Sequence, residues 1–248
     1  LYLHSPTRWI WDKESFDIGR KKWQQVVANL LRPIFKRIDQ KNIQKANKII
    51  ANSNYTKKRI SDIYNRKSSV VFPPVRNFEE ILSQPFLNLN FSEFVLSVGR
   101  NRGYKGFEKI VNISNHLNRK VILVGSGTQI YNSKNVHALG VVNDGQLKWL
   151  YENASCLLAI SEEDFGLTPI EAASLGCPTI AFAKKGYLDS VKDNVSGKLI
   201  PIEESALMIR TLNSIKRVDF DLSEMQQFAM NFSVMNHMLA IEKVLYDD

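Results

Sequence analysis

Residues 94–99 read FVLSVG and residues 120–125 read KVILVG, two short apolar runs that each end in glycine. Apolar runs of this length, bounded by glycine, are typical of buried strands. Between them, Phe107, Ile110 and Leu117 keep the spacing of one helix face. Together these segments predict a strand, a helix and a second strand.

The same alternation continues towards the end of the chain. Further strands are predicted at residues 136–140, 155–161, 178–183 and 198–200, with a helix from Asp144 to Ala154 between the first two. Strands separated by helices imply parallel pairing, with helices covering both faces of the sheet. The sequence therefore predicts an α/β fold that contains a Rossmann-like domain.

Charge is distributed unevenly along the chain, which carries a formal net charge of +8. Residues 1–77 hold 17 Lys or Arg and 5 Asp or Glu, whereas the remaining residues hold 16 and 20. The excess of positive charge predicts an anionic partner, such as phospholipid headgroups, nucleic acid or a phosphorylated substrate. A basic surface that is merely solvated is an equally good interpretation of the sequence.

The two cysteines, Cys156 and Cys177, lie in apolar stretches of different predicted elements. They are interpreted as buried thiols in a reducing compartment, not as a disulfide or a metal site. No run approaches the ~18 apolar residues that a membrane-spanning helix needs. We therefore expect a cytoplasmic protein, with association at the cytoplasmic face of a membrane as an open alternative.

Residues 23–38 hold eight apolar side chains at the spacing of one helix face, with Pro33 predicted to bend or break the helix. The apolar side chains are Trp23, Val26, Val27, Leu30, Leu31, Ile34, Phe35 and Ile38, and the flanking cations are Arg20, Lys21, Lys22, Arg32, Lys36 and Arg37. This layout is typical of a helix that lies on a membrane surface. Packing of the stripe inside its own domain is the alternative.

Residues 76–90 carry Pro85 and little periodicity, which predicts a domain boundary. We expect an incomplete first domain at residues 1–77 and a nucleotide-binding domain at residues 78–232. Residues 233–248 are predicted to form a C-terminal helix that packs back on the first domain.

Two loops that follow predicted strands carry groups suited to a phosphorylated ligand. Loops at the carboxyl ends of parallel strands meet at one edge of the sheet, where ligands bind. Arg100 and Lys105 lie between the glycines of residues 99–106, an arrangement that suits a diphosphate at a helix start. Gly125 ends the next strand. Taken singly, the basic loop is more often solvated, and Gly125 reads equally well as an ordinary turn.

A third loop reads SEEDFGLTPIEAASLGCP at residues 161–178. Thr168 and Pro169 suit the cap and first turn of a helix. Glu163 precedes that helix, and Glu171 lies just inside it. Acidic residues at this place usually serve the helix dipole, but ionised carboxylates also accept hydrogen bonds from sugar and ribose hydroxyls.

The two glutamates, with seven residues between them that include Phe-Gly-Leu, resemble the signature of family-4 (group 1) retaining glycosyltransferases of GT-B fold. The resemblance extends to the Arg100 loop and to the helix after Leu139-Gly140. It also extends to YLHSPTR at residues 2–8, which is similar to mannosyl- and rhamnosyl-type members. The resemblance implies a mannosyltransferase-like enzyme and a fragment that lacks the start of its N-terminal domain.

The resemblance also implies a role for each matching position. The implied catalytic residues are Glu163, His4, Arg100 and Lys105, and the implied donor-binding residues are Glu171, Arg100, Lys105, Gly125, Val142, Phe165, Gly166 and Leu167. Arg100 and Lys105 would neutralise the donor diphosphate, and Glu171 would bind the ribose hydroxyls. The base would lie near Val142, and Glu163 and His4 would lie beside the sugar. A hydrogen-bonded structural histidine is the alternative for His4.

The implied reaction moves a hexose from a nucleotide diphosphate sugar to a glycan or lipid-linked acceptor with retention. GDP-mannose is favoured over UDP-sugars as donor, and no cofactor and no metal are expected because Arg100 and Lys105 supply the positive charge. One departure is AKKGYLD at residues 183–189, where many relatives carry two glycines. No nucleic acid is expected as partner. The alternatives are a basic nucleic-acid-binding protein and a catalytically inactive nucleotide-binding α/β protein.

Overall fold

The computed structural model describes residues 1–12, 21–86, 89, 93–101, 106–202 and 204–246. The chain forms two compact units. The first unit comprises Leu1–Pro73 and Met235–Asp248, and the second comprises Pro74–Val234.

The first unit contains a small parallel sheet of order β1-β2-β3. Its elements are β1 (Tyr2–Leu3), α1 (Arg8–Trp11), α2 (Lys22–Gln44), β2 (Ile50–Ala51), α3 (Asn54–Tyr64) and β3 (Ser69–Val70). Asp39 of α2 ties three helices together, because its Oδ2 accepts from Trp11 Nε1 and from Tyr64 OH, each at 2.6 Å. Ile43, Ile60 and Tyr64 pack against the strands in the buried core of this unit.

Helix α2 continues through Pro33 for 23 residues, so the prediction of a break there was wrong. A proline inside a helix removes one backbone hydrogen bond and costs about 3 kcal/mol. Contacts on both sides of Pro33 hold the helix together, since Arg32 Nε donates to Trp9 O at 3.0 Å and Asp39 joins α1 and α3. Tertiary contacts therefore override the local preference.

The apolar stripe of α2 is exposed in the described part of the chain. Its eight side chains, named above, are between 37% and 71% exposed. Among the flanking cations, Arg32 is buried and Arg20 lies outside the described residues. No described helix combines the length and apolar character that crossing a bilayer requires.

The second unit contains a six-stranded sheet in which every pairing is parallel. Its strands are β4 (Phe94–Val98), β5 (Lys120–Val124), β6 (Val136–Gly140), β7 (Cys156–Ala159), β8 (Thr179–Phe182) and β9 (Gly197–Ile200). In the order β6-β5-β4-β7-β8-β9, strands β5 and β6 are added on one side of β4, and strands β7, β8 and β9 are then added on its other side. The place where the order reverses, between β4 and β7, is where open α/β sheets bind ligands. The predicted Rossmann-like sheet is confirmed.

Helices cover both faces of this sheet. They are α4 (Phe107–Ser114), α5 (Asp144–Asn153), α6 (Leu167–Ser174), α7 (Tyr187–Ser190), α8 (Ser205–Ser214) and α9 (Leu222–Met230). Neighbouring strand residues alternate between two buried clusters: Val95 belongs to one and Leu96 to the other. Burial on both faces explains why the strands are continuous apolar runs in the sequence. A last helix, α10 (Val234–Tyr246), lies mostly in the first unit, where the His237 ring contacts Tyr2 edge-on and its Nδ1 hydrogen-bonds to Phe72 O at 2.7 Å.

Candidate functional site

The carboxyl ends of β4 and β5 meet through their backbones. A Cβ atom at Gly125 would lie 1.9 Å from Gly99 O, so only glycine fits there, and its φ of +134° also favours glycine. Asn101 N donates to Ser126 O at 2.8 Å. The expected diphosphate loop is therefore fastened to the turn that follows β5.

Of the two cations expected on this loop, the structure describes only Arg100. Arg100 is exposed directly after β4. Lys105 lies outside the described residues. Arg100 is thus available at the sheet edge where ligands of such folds bind.

Helix α6 begins at Leu167, with Gly166 as its N-cap at a φ of +95°. The prediction that Thr168 caps this helix was wrong, because Thr168 is its second residue. Glycine has no side chain to accept hydrogen bonds from the first turn, and no side chain caps it. The first backbone N–H groups of α6 therefore lack the capping partner that most helices have.

Glu163 is held by a network of hydroxyl groups. Ser161 Oγ donates to Glu163 Oε1 at 3.1 Å and lies 2.6 Å from Tyr187 OH. Gly186 N donates to Glu163 O at 3.1 Å, which joins the loop after β8 to the loop after β7. Burial, reinforced by the charge of Glu163, holds the pKa of Tyr187 well above its usual range, so the phenol remains a hydrogen-bond donor.

Two lysines of the segment that departs from the expected family pattern bind Glu162. Lys184 Nζ contacts Glu162 Oε1 and Lys185 Nζ contacts Oε2. Lys185 has a φ of +49°, a left-handed conformation that glycine adopts without strain. The segment that departs from the expected pattern thus holds a left-handed residue and forms two ion pairs with Glu162.

Glu171 lies on α6 in a second, separate network. Tyr151 OH, fully buried on α5, donates to Glu171 Oε2 at 3.0 Å. Burial raises the pKa of Glu171, and the Asp144 charge adds to this, whereas Tyr151 and Arg76 oppose it. Arg76 and Asp144 form an ion pair with each other. The structure therefore gives the two glutamates different surroundings.

The remaining predicted positions occupy the same loops or the other unit. Val142 is half-buried in the turn between β6 and α5. Phe165 is buried against the ring of Phe232 at 5.6 Å, and Leu167 is 44% exposed. His4 is exposed after β1 in the first unit, with its ring edge-on to Tyr2 at 5.0 Å. Its role towards the donor stays a prediction.

One acidic sequence bears on the expectation that no metal is needed. Asp219-Phe220-Asp221 is an Asp-x-Asp sequence, a type of motif that can hold a divalent ion. Here Asp219 Oδ2 accepts from Lys216 N at 2.9 Å and Asp221 Oδ1 accepts from Glu224 N at 2.9 Å, so both serve as helix caps. Within the described ranges, no three His, Cys, Asp or Glu side chains are grouped as metal ligands. Metal independence itself stays a prediction.

A small cavity of about 10 Å³ lies at the switch between β4 and β7, lined among others by Ser97, Ser161, Thr168 and Tyr187. This is room for about one water molecule. A larger hollow of about 360 Å³ around Arg119 and Lys120 lies at the amino ends of the strands, away from the loops that carry the predicted site residues. We place the site at the carboxyl edge because the chemistry-bearing side chains are there.

The family described as glycosyl transferases group 1 matches residues 78–229. The chain belongs to this family. An uncharacterized glycosyltransferase of Methanocaldococcus jannaschii is 30% identical over 120 residues, which are 42% of this chain and 31% of the relative. The matched segment thus covers less than a third of that relative's length.

Solved GT-B glycosyltransferases share the fold. Sucrose-phosphate synthase from Thermosynechococcus elongatus aligns with a TM-score of 0.75 at 19% identity, covering 98% of this chain and 66% of that protein. HepE of Anabaena, solved in complex with UDP-glucose, aligns with a TM-score of 0.72 at 20% identity, covering 85% and 66%. The α/β fold predicted from the sequence is therefore of the GT-B type.

Sequence reasoning missed the partners of the two glutamates. Tyr151 was predicted only to lie within the helix from Asp144 to Ala154, and Ser161 only as the end of a strand. Tyr187 lies in residues 183–189, the segment that departs from the expected family pattern. That departure was the only sequence signal at this loop. Arg76 carried no signal, because it contacts a residue 68 positions away.

Proposed function

We propose that this protein is a retaining glycosyltransferase that moves a hexose from a nucleotide diphosphate sugar to a glycan or lipid-linked acceptor. The observation that carries the proposal is the pair of separately held glutamates around the uncapped start of α6. This arrangement lies at the switch point of a parallel sheet in a chain of the group 1 family. The proposal includes a cytoplasmic location, supported by two buried free thiols, Cys156 and Cys177.

The donor diphosphate is proposed to bind between Arg100 and the N–H groups at the start of α6, with Lys105 as a second cation. Helix N-termini favour anions because their N–H groups and the helix dipole point at the ligand. Negative charge grows on the phosphate as the glycosidic bond breaks, so these groups stabilise the transition state more than the ground state. We therefore propose that no metal ion is needed, and that the donor phosphate takes the acceptor's proton on the face from which it leaves.

The two glutamates are proposed to act on different parts of the donor. Glu171, hydrogen-bonded by Tyr151, accepts from the ribose hydroxyls. Glu163, held by Ser161, lies beside the sugar, where positive charge develops during transfer. His4 is proposed as a further catalytic residue.

The resemblance of residues 2–8 to mannosyl- and rhamnosyl-type enzymes supports GDP-mannose as donor. HepE, which shares the fold, was solved with UDP-glucose. Both donors therefore belong in the same experiment. We propose GDP-mannose and treat UDP-glucose as the competing substrate.

Peripheral membrane contact through α2 is proposed for the step that meets a lipid-linked acceptor. Leu30, 71% exposed, and Trp23, 63% exposed, lie on the apolar stripe. The one acidic residue of α2, Asp39, hydrogen-bonds to Trp11 and Tyr64. The exposed side of α2 is therefore apolar and basic, which complements an anionic lipid surface.

Release of nucleoside diphosphate tests the proposed reaction. The protein is incubated with GDP-mannose, UDP-glucose and UDP-N-acetylglucosamine, each with EDTA and with added Mg²⁺ or Mn²⁺, in the presence of simple glycan acceptors. We expect release from one donor that EDTA does not reduce, and a product whose anomeric configuration by NMR matches that of the donor. Inversion, or release only with a divalent ion, contradicts the mechanism. Binding of an oligonucleotide instead of a nucleotide sugar contradicts the function.

A further inference from the structure

We propose that the ion pair Arg76–Asp144 reads the base of the donor and selects guanine over uracil. The inference rests on the proposed function, because it assumes that Glu171 binds the ribose. It adds two specificity residues that lie outside the signature motif.

The ion pair lies near Glu171, so it is placed to contact the base that is attached to the ribose. Asp144 is the first residue of α5, two residues after Val142. Arg76 reaches the same place from the segment that leads into β4, with its guanidinium 5.8 Å from the ring centre of Phe78. The Phe78 ring in turn lies edge-on to the Tyr151 ring, 6.0 Å between centres, and Tyr151 OH donates to Glu171 Oε2 at 3.0 Å. Ribose ligand and ion pair are therefore close neighbours.

Capping of α5 does not explain Asp144. Asn143 already caps that helix, since its Oδ1 accepts from Gln146 N at 2.8 Å while Gln146 Oε1 accepts from Asn143 N at 3.1 Å. Asp144 can still favour the helix dipole, by about 0.3–1 kcal/mol at an exposed site. That contribution does not require a partner from a distant segment.

Attachment of the segment before β4 does not explain the pair either. Lys148 Nζ donates to Phe78 O at 3.0 Å and to Ile81 O at 2.9 Å, and Ser83 Oγ donates to Glu152 Oε2 at 2.6 Å. These bonds already fasten the segment to α5. The Arg76 and Asp144 side chains are 44% and 59% exposed, so their pairing contributes little to stability.

The chemistry of the pair matches one edge of guanine. Guanine presents N1–H and N2–H donors beside its O6 acceptor, whereas uracil presents a single N3–H donor between two acceptors. A carboxylate accepts two hydrogen bonds from neighbouring donors, and a guanidinium donates to the adjacent carbonyl oxygen. The contact between Arg76 and Asp144 uses Nη1 and Oδ1. Each carboxylate oxygen of Asp144 has room for a further hydrogen bond, so both oxygens and the other N–H groups of Arg76 are the atoms proposed to meet the base.

Calorimetric titration of the full chain with GDP and UDP tests the inference. We expect wild type to bind GDP at least tenfold more tightly than UDP. Asp144→Asn replaces one acceptor by a donor, so GDP affinity should fall about tenfold or more while UDP affinity changes less than twofold. Arg76→Gln should also weaken GDP more than UDP. The matched control is Glu152→Gln, which loosens the same segment on α5 and should leave the GDP-to-UDP ratio unchanged.

The outcomes separate this inference from the proposed function. Equal losses for GDP and UDP in Asp144→Asn, or a wild type that prefers UDP, overturn base reading while leaving nucleotide binding intact. If Glu152→Gln changes the ratio of GDP to UDP affinity as much as Asp144→Asn does, attachment of the segment to α5 is responsible. That result also overturns base reading by the ion pair. If folded wild-type protein binds neither nucleotide, the proposed function itself fails.

Discussion

Replacement of Glu171 by Gln tests the ribose assignment with little disturbance of the fold. Glutamine keeps the size of the side chain and an oxygen that can accept from Tyr151 OH, which now donates at 3.0 Å. A neutral hydrogen bond contributes about 0.5–1.5 kcal/mol, and this one is retained. Because burial disfavours the ionised form of Glu171, its loss also removes a cost. We expect the free energy of unfolding at pH 7 to change by less than about 1 kcal/mol.

Nucleotide affinity should respond much more strongly than stability. A hydrogen bond to a charged group contributes about 1.5–3 kcal/mol, and 1.4 kcal/mol corresponds to a factor of ten. Loss of the carboxylate should therefore weaken binding of a nucleoside diphosphate by roughly 10- to 150-fold. Calorimetric titration gives this ratio directly, and urea unfolding gives the stability of each variant.

The pH dependence supplies a second measurement on the same variant. The folded-state pKa of Glu171 is raised above its unfolded value, so the group contributes stability below the unfolded pKa that is lost as pH rises through the folded value. Ribose binding needs the ionised form, so wild-type affinity should fall as pH drops through that raised value. Both pH effects should be absent in Glu171→Gln.

Glu163→Gln is the matched comparison for this experiment. Glu163 is assigned to the sugar, so its replacement should lower turnover and leave nucleoside diphosphate affinity nearly unchanged. The reasoning is refuted if Glu171→Gln loses stability but keeps its affinity, since the carboxylate would then serve only the fold. It is also refuted if the two variants lose affinity equally.

Four further changes have expected outcomes. Arg100→Ala should weaken nucleoside diphosphate binding, measured by titration, by roughly 10-fold or more while leaving nucleoside binding unchanged. Arg217→Gln should lower the free energy of unfolding in urea by about 3 kcal/mol, because the guanidinium donates to three backbone carbonyls at 2.7, 3.0 and 2.8 Å. Lys185→Gly should shift that free energy by less than about 1 kcal/mol, since relief of left-handed strain offsets the lost ion pair with Glu162. Leu30→Glu should abolish sedimentation with anionic vesicles without changing Tm, and unchanged sedimentation contradicts the membrane contact.

The sheet of the second unit was predictable because its signal is local. The inner strands β4, β5, β7 and β8 are apolar runs buried on both faces, and the parallel order follows from the helices between the strands. Gly125 was recognised for its position, and the reason for it, backbone contact with Gly99, became visible only in three dimensions.

The features that the sequence did not predict depend on distant contacts. Tyr151 lies 20 residues from Glu171, and Tyr187 lies 26 residues from Ser161, so no helix or strand period connects them. Pro33 failed as a helix breaker because residues on both sides of it are held by α1 and α3. Thr168 failed as a cap because Gly166, with its positive φ, begins the helix two residues earlier.

Direct binding of a nucleotide sugar is the measurement closest to the central claim. The wild-type chain is titrated calorimetrically with GDP-mannose and with UDP-glucose in EDTA, and each titration is repeated with Glu171→Gln. The account predicts saturable one-to-one binding of a nucleotide sugar without metal, displaced by the matching nucleoside diphosphate and weakened at least tenfold in the variant. Folded wild-type protein that binds neither sugar nucleotide, or that binds one equally well after Glu171→Gln, contradicts it.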